Sequence, residues 1–370
     1  MPDRAPLHHE LLAYSEAIVP FAAERPFYQM LRQAPYSGTH DAGAALLLIV
    51  ATQVEKLAIE IHDAVGAEAN VPCVPGYKDS ISLVSRLIYL SVTACELDDP
   101  FSRTLGRVKR AELSLPFKIG FPHICPAEAI APFIRLPRSE FAGSRIGKLS
   151  AGQTWCHGSK TVNITHLRLQ YCNLDTASTV AIIASCTALE ILVIVWQTNL
   201  GGGNGLYSDA EVLQLDFAEV GDALRQHSGS LVHLTLDTFS GDCVSIAETP
   251  PLGSLISSFT KLRTLDINDR WVYGDRLDSI WEDNADIGDL GATLRDSLPS
   301  GHEVFTFRMR KQFTLYSDNL KAVASCSCPA MRQFTLTVPL LDGWATDAQL
   351  EELSSSILDH CRNIAEQSGV

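Results

Sequence analysis

Short apolar runs with a fixed internal spacing recur along the chain and predict a series of β-strands. The clearest run, residues 164–174, reads ITHLRLQYCNL and fits the leucine-rich pattern L-x-x-L-x-L-x-x-[NC]-x-L at each fixed position. The first, fourth and sixth positions of such a unit turn into the core, and the residues between them face outward because side chains alternate along a strand. The run therefore predicts a short strand that buries one face.

A helix is predicted after this strand, and a second strand after the helix. Asp175 is placed to cap the helix N-terminus, and Val180, Ile183 and Ala184 form the stripe expected to face inward. The next unit starts at Leu189, 25 residues after the start of the first one, which is within the range of leucine-rich repeats. Two neighbouring units thus follow one strand-helix pattern.

Further units start at Leu231 and Leu262, and the steps that lead to them are 42 and 31 residues. The longer step contains the glycine-rich run 201–205 and a predicted helix over 208–226, so an inserted loop accounts for its length. We expect the four strands to cover one continuous core beneath a mostly parallel sheet. The expected core residues are Leu167, Leu169, Leu192, Ile194, Leu234, Leu236, Leu265 and Ile267.

Four weaker units extend the series on both sides. They are Val54/Leu57/Ile59, Val108/Ala111/Leu113, Val304/Phe305/Phe307 and Met331/Phe334/Leu336. Near the C-terminus, Thr346 and Gln349 give a capping-box signature at the start of an amphipathic helical pattern. The predicted organisation is a helical cap over 1–40, an irregular leucine-rich-repeat-like solenoid over 41–345 and a capping helix over 346–370. The predicted fold class is α/β, a solenoid with a curved, mostly parallel sheet and helices on its outer face.

The four stronger units resemble the ribonuclease-inhibitor-like leucine-rich repeats of fungal F-box-associated proteins. The run 41–48 before residues 54–57 is similar to the helix-then-strand opening of that group. The resemblance implies a solenoid that binds proteins, and it implies ubiquitin-ligase components as partners. An F-box is not recognisable, because residues 7–12 resemble only its start and residues 13–25 do not continue it.

Charge narrows the range of partners. The formal net charge is −14, and residues 161–260 contain ten acidic side chains against only Arg168 and Arg225. Such a surface repels phosphate backbones and anionic lipid, which argues against nucleic acid and membrane as partners. We therefore predict a protein partner with a basic or neutral contact face.

The N-terminal residues, the length of the longest apolar run and the cysteines together predict the cellular compartment. Residues 1–10 lack the apolar segment of a secretory signal, and the longest apolar run, 44–51, is too short to span a bilayer. The ten cysteines follow no short-range framework, so we expect them to be reduced and free of metal. The predicted localisation is cytoplasmic or nuclear.

Two sequence features resemble ligand-binding motifs but do not match them. The glycine run 201–205 lacks the third glycine of a dinucleotide fingerprint, and no lysine follows it until Lys261, so no nucleotide cofactor is predicted. The acidic stretch 275–289 does not fit a calcium loop, because a loop that starts at Asp283 has Ala285 where a ligand is required. Both features are read as solvated loop or helix surface.

Metal and catalytic signatures are also missing from the sequence. The closest His and Cys pairs lack the paired C-x-x-C spacing of structural zinc sites, and they are His123/Cys125, Cys156/His157 and Cys326/Cys328. No G-x-S-x-G elbow or H-E-x-x-H helix occurs. We therefore predict no metal, no cofactor and no catalytic residue.

The outward positions of the aligned strands supply the candidate binding residues. They include His166, Arg168, Tyr171, Trp196, His233, Asp237, Asp266 and Asp269. Aromatic residues on a sheet surface are typical anchors of protein interfaces. For Trp196 the equally favoured alternative is that it packs under the glycine-rich insertion. The favoured function is a non-catalytic scaffold that binds a protein on the concave sheet. The alternatives are a ubiquitin-ligase substrate receptor, and a hydrolase or transferase whose site is assembled from separate loops.

Overall fold

The computed structural model of the chain describes residues 54–60, 107–114, 140–144, 146–147, 162–197, 214–238, 244–245, 253–273, 298–299, 301–308, 331–337 and 355. Its strands are β1 (Lys56–Glu60), β2 (Arg110–Ser114), β3 (Glu140–Ser144), β4 (His166–Cys172), β5 (Ile191–Trp196), β6 (Gln214–Leu215), β7 (His233–Thr238), β8 (Val244–Ser245), β9 (Thr264–Asn268), β10 (Val304–Arg308) and β11 (Gln333–Thr337). Nine of them form one sheet in the order β1-β2-β3-β4-β5-β7-β9-β10-β11, and each pairing is parallel. Each strand of this sheet lies next to the strand that follows it within the same sheet, as in a repeat array.

Few helices are present in the described residues. They are α1 (Thr176–Ser185), α2 (Phe217–Arg225), α3 (Gly253–Ile256) and α4 (Asp269–Tyr273). Strands β6 and β8 pair with each other in a separate two-stranded sheet. The predicted mostly parallel sheet is confirmed, and the arrangement is compatible with an α/β solenoid.

The core lies under two rows of side chains that cross the large sheet in matching register. The first row contains Leu57, Ala111, Phe141, Leu167, Leu192, Leu234, Leu265, Phe305 and Phe334. The second row contains Leu113, Gly143, Leu169, Ile194, Leu236, Ile267 and Phe307. The eight predicted core residues belong to these rows and are at most 1% exposed, so the predicted register is confirmed.

The weaker units also form strands, with one correction to their register. All four coincide with β1, β2, β10 and β11. In the β10 unit, however, the first core position is occupied by His302, which is fully buried, and Val304 lies on the opposite face of the strand. A histidine at a leucine position hid the true start of this unit.

Strand β3 was not predicted at all, because its two core positions hold Phe141 and Gly143. The aromatic ring of Phe141 reaches across the space above Gly143: a Cβ at that glycine would lie 2.9 Å from Phe141 Cε1. One large and one absent side chain thus fill the volume that two leucines fill in β4. The leucine-rich pattern does not detect such a substitution.

Helix α1 begins where predicted, but its buried face differs. The Asp175 side chain accepts a hydrogen bond from the Ser178 N–H at 2.8 Å, which confirms the predicted cap. Ile183 is buried as expected, whereas Val180 and Ala184 are only half-buried and Ile182 faces the core instead. The predicted stripe was therefore rotated by about one position.

Helix α2 is shorter than the predicted helix over 208–226. The segment Gln214–Leu215 is a strand, and the Asp216 side chain then caps α2 by accepting from the N–H groups of Ala218 and Glu219. The Asp216 N–H donates to the Thr176 hydroxyl at 2.7 Å, so the starts of α1 and α2 are joined. Residues 208–213 lie outside the described residues.

Aromatic contacts and one histidine fasten the helices to the covered face of the sheet. The Trp271 ring in α4 lies 5.3 Å from that of Trp196 and 4.2 Å from that of Phe217. His227 Nδ1 accepts the Leu189 N–H at 3.2 Å, and Nε2, which then carries the ring proton, lies 3.2 Å from the Ile183 carbonyl. Helices α1 and α2 are thereby tied to the entry of β5.

Several predicted features lie outside the described residues. They include the N-terminal cap over 1–40, the glycine run 201–205, the acidic stretch 275–289 and the C-terminal helix over 346–370, of which only Ser355 is described, in helical conformation. Among the helices that the structure describes, none combines the length and the apolar character that a membrane crossing needs.

Candidate functional site: the open face of the sheet

One face of the large sheet is covered by the core, and the other face is partly accessible. In β3 and β10, buried residues alternate with half-buried or exposed ones. The first cross-strand row of the accessible side contains Glu140, His166, Ile191, His233, Thr264 and Val304, and the second contains Ala142, Arg168, Val193, Thr235, Asp266 and Thr306. A third row contains Ser144, Gln170, Val195, Asp237, Asn268 and Arg308. We call these three rows the open face.

Such an accessible face is unusual for parallel strands. Parallel sheets are normally covered on both faces, and their strands are then continuously apolar. Only β5, with the sequence ILVIVW, has that character here. The other strands of the open face carry polar or charged side chains, so this face is suited to contact with water or with a partner.

The strand entries of the open face carry a histidine between two glutamates. His166 Nδ1 lies 2.9 Å from Glu140 Oε1, and His166 Nε2 lies 3.7 Å from Glu190 Oε2. Both glutamate side chains are about half exposed. This cluster therefore forms an accessible, acidic end of the face next to β3, β4 and β5.

Residues that directly precede other strands of the sheet form a series of cross-strand ion pairs. Lys109 Nζ lies 3.0 Å from Glu55 Oε1, and Glu303 contacts both Arg263 at 3.0 Å and Arg332 at 3.7 Å. The arginine and lysine side chains of these pairs are largely exposed, so each pair is expected to contribute no more than about 1 kcal/mol. Their effect is to favour the observed strand register.

The middle of the open face is poorly accessible. Val193 of β5 is 5% exposed and Thr235 of β7 is 7% exposed. Ile191 and Val195, on either side of Val193 along β5, are half-buried. The centre is thus a recessed aliphatic patch between polar neighbours on β4 and β7.

His233 borders this patch on the β7 side. Its Nε2 lies 3.0 Å from the Thr235 hydroxyl. Burial lowers the pKa of His233, and the positive charge of Arg168 lowers it further, while Asp266 has the opposite effect. His233 is therefore held in its neutral form more strongly than a free histidine, and Arg168, whose charge contributes to this effect, is exposed on β4.

The other side of the face carries a three-residue cluster, Asp237–Asp266–Arg308. Arg308 donates from Nε to Asp266 Oδ1 at 2.8 Å and from Nη2 to Asp266 Oδ2 at 2.6 Å. Its Nη1 lies 3.1 Å from Asp237 Oδ2. Hydrogen bonding to Asp266 raises the pKa of Arg308 above its usual value, so the guanidinium stays charged.

Backbone and amide groups fix the cluster from below. Asp237 Oδ1 accepts the Thr238 N–H at 2.8 Å and the Asn268 amide at 3.3 Å. The Asn268 amide also lies 3.4 Å from the Thr238 hydroxyl. Because Asp237 is bonded on both oxygens, its carboxylate has a defined orientation.

Tyr171 projects at the exit of β4. It is 41% exposed, and it is the one large hydrophobic side chain that is exposed among the residues described. Its φ of 55° lies in the left-handed region, where the pairing of β4 with β5 shifts register between Leu169 and Cys172. The bulge turns this ring outward beside the open face.

Two predicted binding residues are placed differently by the structure. Trp196 is fully buried, its indole N–H donates to the Leu174 carbonyl at 3.2 Å, and its ring packs on Trp271. The expectation that Trp196 lines the accessible sheet surface is therefore wrong. Simple alternation along β5 puts it on the same face as Leu192 and Ile194, and that signal was available in the sequence.

Asp269 is also unsuited to contact with a partner. It is 2% exposed, and its carboxylate accepts the Arg270 N–H at 2.9 Å at the start of α4. The remaining predicted residues are grouped as expected: His166, Arg168, His233, Asp237 and Asp266 lie on the open face, and Tyr171 lies at its edge.

Sequence reasoning missed Arg308, Glu140 and Glu190 as parts of this face. Arg308 follows directly once β10 is aligned on His302, because it then stands opposite Asn268. Glu140 required β3, which the leucine-rich pattern did not detect. Glu190 immediately precedes β5 and is brought to His166 by the register of β4 with β5.

Two of the cysteines lie within the described residues, and both are buried. Cys172 and Cys186 are free and buried; burial raises the pKa of Cys172 far above its usual value and that of Cys186 to about 12. Both are unreactive small apolar groups in this setting. Within the described ranges no three His, Cys, Asp or Glu side chains are grouped as metal ligands, and the other eight cysteines lie outside those ranges.

Comparison with known proteins adds no relative to this picture. No protein-family model matches the chain. No curated protein matches it significantly. The resemblance to fungal F-box-associated repeats therefore stays a prediction, and function must be argued from the open face itself.

Proposed function

We propose that the chain is a leucine-rich-repeat-like solenoid that binds a protein partner on the open face of its sheet and catalyses no reaction. The observation that carries the proposal is the asymmetry of the parallel sheet. Its core face is closed by Leu, Ile and Phe rows, and the contacts among Trp196, Trp271 and Phe217 place α2 and α4 on that same side. Among the described helices, those placed by these contacts lie on one side of the parallel sheet, which is the arrangement that solenoids use to present a binding surface on the other side.

The composition of the open face supports a protein ligand. A recessed aliphatic patch formed by Ile191, Val193 and Val195 is bordered by polar side chains on both neighbouring strands. Protein interfaces have this anatomy, in which an apolar centre depleted of charge is surrounded by a polar rim. Arg168 and Tyr171 are exposed at the β4 border, and both residue types are frequent interface anchors.

The test compares two charge reversals of matched chemistry. Arg168→Glu changes the open face, whereas Arg225→Glu changes an exposed arginine on α2 that pairs only with Asp222 in its own helix. Tagged wild-type and variant proteins are recovered from the native cell type, and co-purifying proteins are quantified by mass spectrometry. We expect at least one partner to be retained by wild type and Arg225→Glu and reduced about tenfold or more by Arg168→Glu.

The proposal fails if the two variants, both shown to be folded, retain the same proteins in the same amounts as wild type. The other functions considered from the sequence, a ubiquitin-ligase substrate receptor and an enzyme with a loop-assembled site, stay predictions. No feature of the residues that the structure describes favours either one.

A further inference from the structure

We infer that the cluster Asp237–Asp266–Arg308 is the polar half of the partner site and selects a neutral hydrogen-bond acceptor with a basic side chain beside it. This inference rests on the proposed function and adds the chemistry of the partner segment. The cluster joins β7, β9 and β10 on the open face. Two hydrogen bonds hold Arg308 to Asp266, and an ion pair at 3.1 Å joins Arg308 to Asp237.

Arg308 is the accessible member. Its side chain is 39% exposed, compared with 16% for Asp266 and 10% for Asp237. A guanidinium has five N–H donors; Nε and Nη2 each use one of them on Asp266, and Nη1 forms an ion pair with Asp237. One further donor on Nη1 and one on Nη2 remain for a ligand.

These two donors are preorganised. An arginine side chain loses rotamer entropy when a partner immobilises it, and that loss weakens binding. Here the bidentate pairing with Asp266 has already fixed the guanidinium plane, and Asp237 is itself fixed by Thr238 and Asn268. A partner that meets Arg308 therefore finds it in a single orientation.

The charge of the cluster decides which acceptor fits. One guanidinium and two carboxylates sum to a local charge of −1 at neutral pH. A partner carboxylate would approach Arg308 against this surplus negative charge, and against the net charge of −14 on the whole chain. A backbone carbonyl or side-chain amide meets no such repulsion, and a Lys or Arg next to it is attracted.

An apolar contact lies next to the cluster. Val195 of β5 pairs in register with Asp237 of β7, so the half-buried Val195 side chain neighbours the carboxylate on the open face. A partner segment can then place an apolar side chain on the β5 patch while its carbonyl and its basic residue meet Arg308 and the two carboxylates. The chemistry inferred for the segment is apolar, carbonyl-presenting and basic.

A library of random short peptides of known sequence serves as the probe. Peptides are selected on the immobilised full-length protein, and the affinities of the enriched ones are measured for wild type, Arg308→Lys, Arg308→Gln, Arg168→Glu and the control Arg225→Lys. We expect enriched peptides to combine an apolar residue with an adjacent Lys or Arg. Arg308→Lys, which keeps the charge but loses the fork, should weaken binding about tenfold, as should Arg308→Gln, and Arg225→Lys should not change it.

Other outcomes have separate meanings. Enrichment of acidic peptides, or affinities that depend on Arg168 but not on Arg308, would refute the inference and leave the proposed function standing; the cluster would then only fasten three strands. Failure to enrich any peptide whose binding depends on either arginine would refute both. Thermal unfolding of each variant separates loss of binding from loss of folding, and Arg308→Lys retains the charge that the buried carboxylates need.

Discussion

The covered and open faces of the sheet carry the same strands but obey different rules. On the covered face, eight of the nine residues in the first row, seven of them Leu or Phe and one Ala, are at most 7% exposed, and this pattern holds from β1 to β10. On the open face, each of the three rows mixes charged or polar side chains with aliphatic ones, and no residue type occurs more than twice in a row. Packing limits the first face to apolar side chains of suitable volume.

This difference shows which residues of such a fold carry information about its function. A core position accepts several apolar residue types, so its residue indicates only that a strand is present. Residues of the open face can change one by one without loss of the fold. Trp196 and Tyr171 illustrate this at the ends of neighbouring strands. The first is fully buried in the core and the second is 41% exposed on a bulge, although both are aromatic.

The largest effect should come from the covered face. We expect Trp196→Ala to lower the free energy of unfolding by about 3–5 kcal/mol, because it leaves a cavity beside Trp271 and leaves the Leu174 carbonyl without its donor. The matched variant Tyr171→Ala should cost less, since Tyr171 is 41% exposed whereas Trp196 is fully buried. Urea denaturation measures both. A loss below about 1 kcal/mol for Trp196→Ala would mean that the indole is not packed in the core.

The same contrast between the two faces explains how much of the fold could be predicted from the sequence. Apolar spacing predicted the register of Leu167, Leu192, Leu234 and Leu265, because only one register buries them all. It failed at β3, where Phe141 fills the space of two side chains, and at β10, where a buried histidine replaces leucine. Both failures occur where the volume is conserved but the residue type is not.

The candidate site was predictable only in part, for a different reason. Outward positions of correctly aligned strands gave His166, Arg168, His233 and Asp266 on one face. Their contacts came from strands far away in the sequence: Arg308 reaches Asp266 across 42 residues. No local pattern encodes such a pairing, so the charged cluster emerges only when β9 and β10 are paired.

A smaller effect is expected from the charged cluster of the open face. Asp266→Asn removes the charge that holds Arg308 through two hydrogen bonds, and we expect a loss of about 1–2 kcal/mol, reduced from the value of a fully buried pair because Arg308 is 39% exposed. Asp222→Asn, in the exposed pair with Arg225, should change stability by less than about 0.5 kcal/mol. Equal effects of the two substitutions in urea denaturation would show that the cluster is a weak surface pair.

The pH dependence of stability sharpens the comparison, because each face carries a histidine whose pKa is lowered. Burial lowers the pKa of His302 in the core and of His233 on the open face below the unfolded value of about 6.5. The unfolded chain therefore takes up protons first, so the stability is present above about pH 6.5 and is lost as the pH falls through that value toward the folded pKa. Each histidine contributes a slope of at most about 1.4 kcal/mol per pH unit.

Replacing the buried His302 measures how much this histidine contributes to the pH dependence of stability. His302→Leu restores the apolar residue of the repeat pattern and should flatten the fall in stability between about pH 7 and pH 5.5, measured by urea denaturation at each pH. His166→Gln serves as a control on the partly accessible face. If His302→Leu leaves the slope of the wild-type curve unchanged, proton uptake by His302 does not contribute to it.

The smallest effect concerns the backbone at Tyr171, where φ is 55°. A side chain in this left-handed region costs about 1–2 kcal/mol that glycine avoids, although glycine also makes the unfolded chain more flexible by about 0.5–1 kcal/mol. Both Tyr171→Gly and Tyr171→Ala lack the ring. We expect Tyr171→Gly to be more stable than Tyr171→Ala by several tenths of a kcal/mol, because the cost of this φ for alanine exceeds the cost of glycine's flexibility. At Ala142 in the regular strand β3, the order should reverse, and Ala142→Gly should lose about 0.5–1 kcal/mol. The same order at both positions would indicate that residue 171 continues the strand without a bulge, and its ring would then not be directed beside the open face.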